Sequence, residues 1–125
     1  MTHPITYSDD DPYLFDVRRL ALGLPEAVER VAWGRPTFRA GEKGKMFAIF
    51  ERSSLLVVKP EPGEREALLA DARFSAPAYW GPSGWVGLDL LAAPVELAEV
   101  SELLDTSFRQ VALKRQLSAL DGRAG

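Results

Sequence analysis

The 125 residues, 46% hydrophobic and 26% charged, suffice to enclose one core and lack the bias of a disordered, fibrous or membrane chain. With no cysteine there is no disulfide, thiolate metal site or cysteine nucleophile, and a net charge of -3 is not that of a strongly basic polyanion binder. No apolar run approaches a bilayer span, and Met1 to Pro12 is acidic and polar rather than leader-like, so one cytoplasmic domain over residues 1–125, without a membrane partner, is expected.

In chain order, Asp9, Asp10 and Asp11 before Pro12 make a helix start, and Leu14, Val17, Ala21 and Leu24 repeat near helical spacing until Gly23 and Pro25 end the element. Val28 to Trp33 alternates as a strand with one covered face. Because proline has no amide hydrogen for a ladder, Gly34-Arg35-Pro36 is expected to be a turn or a sheet edge, leading to a short strand through Thr37, Phe38 and Arg39. Gly41 to Gly44 reads as a hairpin turn. It lacks the full glycine, lysine and hydroxyl spacing of a phosphate loop.

Met46–Phe50 and Leu55–Val58 are apolar runs joined by a short polar link, two antiparallel strands at the sheet's centre. After Pro60 and Pro62, Glu64 to Asp71 suits a short helix, and Phe74 to Gly84, rich in Pro, Gly and aromatics, suits a structured loop. In the strand Trp85–Leu90, Val86, Leu88 and Leu90 share one face, so Trp85 is expected opposite the core. From Pro94, Leu97, Val100, Leu104, Phe108 and Val111 predict one long amphipathic helix, acidic at its start and with Arg109, Lys114 and Arg115 near its end. Asp121 to Gly125 then reads as a frayed tail.

Few residues offer chemistry. His3 is the single histidine and sits near the amino terminus, which removes histidine-based triads and core metal sites; the three aspartates are accounted for by helix capping. No metal, no cofactor and no enzymatic activity are therefore expected. Two groups remain as candidate sites. Residues 30–59 carry seven cations against two acids, a local charge of +5 that leaves -8 elsewhere. Within that stretch Arg35, Arg39, Lys43 and Lys45, interleaved with Trp33 and Phe38, could present a cationic ribbon to phosphates, or simply form a solvated face. The second group is Tyr79, Trp80 and Trp85, with Trp33, which could line a ligand groove or pack beneath a loop.

Three ordered blocks carry a resemblance: Trp33-Gly34-Arg35-Pro36-Thr37-Phe38-Arg39 with Gly44-Lys45-Met46-Phe47-Ala48, then Ala76-Pro77-Ala78-Tyr79-Trp80-Gly81 with Gly84-Trp85-Val86-Gly87-Leu88-Asp89-Leu90, then Leu103 to Val111. The chain resembles the MmcQ/YjbR family, a bacterial-type group, although Gly81-Pro82-Ser83 stands where relatives often carry a basic residue. The resemblance implies an α+β fold, an antiparallel sheet flanked by N-terminal and C-terminal helices in a double-wing-like arrangement, and through that fold a DNA-binding accessory or regulatory role. A small-molecule or peptide binding domain, or a protein-interaction module, is the alternative. Monomer and homodimer both stay open.

Overall fold

A computed structural model describes residues 4–52, 54–92 and 94–124 of the chain; His3 and Gly125 lie outside them. The first helix, α1 (Pro12–Leu22), begins as its sequence dictates: Asp11 is the N-cap, its Oδ1 accepting from the amides of Tyr13 at 2.8 Å and Leu14 at 3.3 Å, and Pro12 occupies the first turn. The other Asp11 oxygen accepts from the buried Ser54 hydroxyl at 2.9 Å, which ties the helix start to a strand turn far along the chain.

Six strands follow, β1 (Val28–Ala32), β2 (Arg35–Arg39), β3 (Met46–Glu51), β4 (Leu55–Val58), β5 (Phe74–Ser75) and β6 (Val86–Asp89). They form one antiparallel sheet in the order β1-β2-β3-β4-β6-β5. Two expectations are corrected here. Trp33 belongs to the turn rather than to the first strand, and β2 is an inner strand that contains Pro36. Proline is tolerated because Pro36 faces Val31 next to the turn-closing pair Ala32 and Arg35, while the ladder to β3 starts only at Thr37. The loop expected over Phe74–Gly84 also contributes the two-residue edge strand β5.

Helices cover one side of the sheet. Leu14, Val17 and Ala21 of α1, with Val100, Leu104 and Phe108 of α3 (Leu97–Arg109), join Phe38, Phe50, Leu56, Val58 and Leu88 in a single buried core. Within it Phe47 and Phe108 meet edge to face, ring centroids 5.3 Å apart. Buried Ser107 donates its hydroxyl proton to the Phe47 carbonyl at 2.6 Å and accepts from the Lys59 amide at 2.9 Å, bridging the ends of β3 and β4 where their ladder stops. The short α2 (Arg65–Leu69), entered through a 3-10 turn over Pro62–Glu64, packs Leu68 and Leu69 on the core edge.

The expected single C-terminal helix is two. After α3 ends at Arg109 the chain turns and restarts as α4 (Lys114–Ala124), so Lys114 and Arg115 open a helix and the supposed tail is helical to Ala124. The cause is tertiary. Gln116 is buried; its amide donates to the Ala40 carbonyl at 3.0 Å, and its oxygen accepts from the Leu113 amide at 2.8 Å, fixing α4 against β2.

Glu26 strengthens that attachment. Arg115 donates to both of its carboxylate oxygens, at 2.8 and 2.9 Å, and Gln116 adds a third bond, holding the Glu26 carboxyl down at about 2 from 4.5. A depressed carboxyl stabilises the fold above its unfolded value and ceases to do so as pH falls through its folded one. The stability difference between the native chain and Glu26→Gln is therefore expected to hold above about pH 4.5 and to vanish toward about pH 2, as read by urea denaturation at stepped pH.

Candidate functional site

Strand register sorts side chains between the two faces of the sheet. Phe38, Ala48, Val58 and Val86 lie in one row on the helix side. Thr37, Ile49, Val57 and Gly87 form the neighbouring row on the opposite face, which carries its own apolar cluster of Ile49, Val57 and Trp85, edged by Met46, Leu55 and Trp80. Among the described residues no α-helix contributes to this second cluster, and the segment leading into β6 supplies its Trp80 and Trp85.

All three tryptophans of the chain meet on this open face. Trp80 is central: its ring centroid lies 5.4 Å from Trp33, 6.2 Å from Trp85 and 4.7 Å from Tyr79, the last an edge contact at 79°. Trp85 lies opposite the main core, as its alternation predicts, and is buried there, whereas Trp33 is 40% and Tyr79 80% exposed. The result is a ledge with a fixed base and an accessible rim, able to stack planar groups.

Local geometry builds the ledge at some expense. Trp33 (φ 54) and Gly34 (φ 79) form the two-residue β1–β2 hairpin with both residues left-handed, a turn that prefers Asn-Gly. A tryptophan there costs about 1–2 kcal/mol. Gly84 (φ 93) ends the 3-10 turn Gly81–Ser83, and the Arg65 guanidinium donates to the Gly81 carbonyl at 3.1 Å, holding that turn in place. Trp33→Asn is expected to leave stability within about 1 kcal/mol, since relief of backbone strain offsets the lost ring contact, while weakening whatever binds the ledge. Denaturation and binding measured on one variant check both halves.

The polar groups of this face include two carboxylates, Glu51 and Asp89, in one row with Leu55, as well as cations. Arg35 Nε lies 2.5 Å from Glu51 Oε1, an ion pair about one-fifth exposed on each side, although not a well-directed hydrogen bond. Arg39, half-buried, has an Nε without a partner, and so has the buried Nε1 of Trp80. Lys59 continues the open-face alternation of Leu55 and Val57, and its Cε lies 4.0 Å from the position a Cβ on Gly84 would take. Period-two counting from Val57 gives Lys59 this place from sequence alone; the role of Arg65 in bracing Gly81 leaves no such signal.

The four candidate cations do not form one ribbon. A β-bulge between Phe38 and Arg39 leaves Phe47 as the extra residue, so Arg39 pairs with Met46 and the alternation of β3 shifts by one. Lys45, opposite Ala40, is thereby turned to the helix side, where Lys43 and Lys45 line a separate cleft with Val111, Leu113 and Gln116. Arg35 and Arg39 stay with the open face, and Arg35 is spoken for by Glu51. Tyr79, Trp80, Trp85 and Trp33 are brought together as one group.

An antiparallel sheet with helices on one face and an aromatic ledge on the other defines an α+β protein with one sheet face left open. The YjbR family model matches residues 22–110, and the chain belongs to the YjbR family. Among solved structures it is similar to Deinococcus radiodurans protein DR2400, whose family-model domain is DUF419, with 22% identity over 76% of this chain and 75% of that one and a TM-score of 0.67. That likeness shows the fold. A search of curated proteins gave no match. Among the described residues no helix is long and apolar enough to cross a membrane.

Proposed function

We propose that this chain is a non-enzymatic nucleic-acid-binding module that takes unpaired bases on the open face of its sheet. The observation that carries the reading is the gathering of exposed Trp33 and Tyr79 around half-buried Trp80, above buried Trp85. Exposed ring faces, tilted 56–79° to one another, reach bases only when these are unstacked, and stacking is tolerant of sequence. Arg39 and Lys59 supply the nearby positive charge, so phosphate contact is sparse. DNA is accordingly a partner through its single strands more than its duplex.

Tryptophan emission reports directly on this face, because every tryptophan belongs to the cluster. Titration with a short oligothymidylate at low salt is expected to quench it, with a duplex of equal length binding more weakly. With two phosphates neutralised, the slope of log affinity against log salt is expected to be about -1.4. Absence of quenching and of any binding by anisotropy overturns the reading. Retained binding in Lys43→Glu/Lys45→Glu is also required, since those lysines face the other side.

The unpartnered donors Arg39 Nε and Trp80 Nε1 favour a second reading, a small planar acid in place of a polymer. A nucleoside monophosphate that quenches as fully as the oligomer, with equal affinity, selects it.

A further inference from the structure

A second site lies on the helix side. The β2–β3 hairpin and the turn between α3 and α4 enclose a cleft of about 480 Å³, within the range of small-molecule pockets. Its walls are set by glycines that favour no side chain: Gly41 sits at φ 100, where a side chain would be strained, and a Cβ on Gly44 would lie 1.9 Å from the Ala40 carbonyl oxygen. Its floor is apolar, with Ala40 buried, Val111 half-buried and Leu113 left 54% exposed.

The charges of this cleft are unevenly committed. Glu26 is held by Arg115 and Gln116, and Glu42 by Arg30 at 2.7 Å. Arg115 is used by the same pairing. That leaves Lys43 and Lys45, both exposed and without an ion pair among the described residues, as the charges free to meet a ligand. Every acid in the lining already has a cation of its own, so an incoming anion meets two lysines beside an uncovered leucine.

We infer that this cleft binds a small amphiphilic anion, a carboxylate or phosphate headgroup on a short apolar chain, with Lys43 and Lys45 on the headgroup and Leu113 and Val111 against the chain. The headgroup chemistry is shared between the two acids, and their relative affinity separates them. This site is independent of the open face, so its occupancy should leave tryptophan emission unchanged.

The test is an amide-resolved NMR titration of the full chain with hexanoate, hexyl phosphate, inorganic phosphate and hexanol. Saturable shifts at Gly41, Gly44 and Gln116 with hexanoate or hexyl phosphate, together with weaker effects of inorganic phosphate and hexanol, are expected. Lys43→Ala/Lys45→Ala should weaken binding by about tenfold or more. Leu113→Ser should abolish the preference of hexyl phosphate over inorganic phosphate while leaving the phosphate response. Shifts that fail to saturate, a hexanol response equal to that of the anions, or unchanged affinity in the lysine variant would overturn the inference.

Discussion

Replacing Trp80 with alanine is expected to reduce single-strand affinity roughly 5- to 150-fold, the loss of one base stack worth about 1–3 kcal/mol. Trp80 touches Trp33, Tyr79 and Trp85, so its removal separates the rim residues from each other as well as removing a ring. The fold should persist, because the ledge is outside the main core around Phe38, Phe50 and Phe108. Fluorescence anisotropy of a labelled oligomer gives the affinity, and circular dichroism the fold. A folded Trp80→Ala variant that binds as well as the native chain removes the open face from consideration.

The largest loss of stability is expected from Phe108→Ala, about 3–5 kcal/mol. Phe108 is fully buried, packs edge to face on Phe47, and belongs to the cluster that joins α1, α3 and the sheet. For a chain of this size the change corresponds to a fall in melting temperature of about 10–20 °C. Thermal denaturation followed at two wavelengths checks it. A loss under about 1 kcal/mol would mean that the region collapses around the missing ring.

Much of the scaffold was readable from local patterns. The Asp11 cap with Pro12, the apolar runs of β3 and β4 and the two-face alternation of β6 each rest on neighbouring residues, and each forms where expected. The failures have non-local causes. Nothing between Gln110 and Leu113 is a helix breaker; the division of α3 from α4 follows from Gln116 finding Ala40 across the fold. The sides taken by Lys43 and Lys45 depend on the bulge at Phe47, where no glycine or proline gives warning. A phase shift of one residue split the cationic set that spacing had joined.

The aromatic set fared differently because Trp80 and Trp85 are close in sequence and alternation already placed Trp85 away from the helices. Trp33 was harder to place. Its left-handed backbone puts it in a tight hairpin that the Gly34 beside it permits, where a strand end had been expected.

The Ser107 hydroxyl has a role beyond filling two vacant bonds. Phe47 and Lys59 belong to different strands, and one oxygen atom serves both, so α3 can dock at only one height along the sheet. A helix slipped by a turn would set Leu103 or Val111 over those backbone groups, neither of which has an oxygen to offer. One small polar side chain thus acts as the indexing pin of an otherwise greasy interface, which the fit of leucines and phenylalanines alone leaves free to slide.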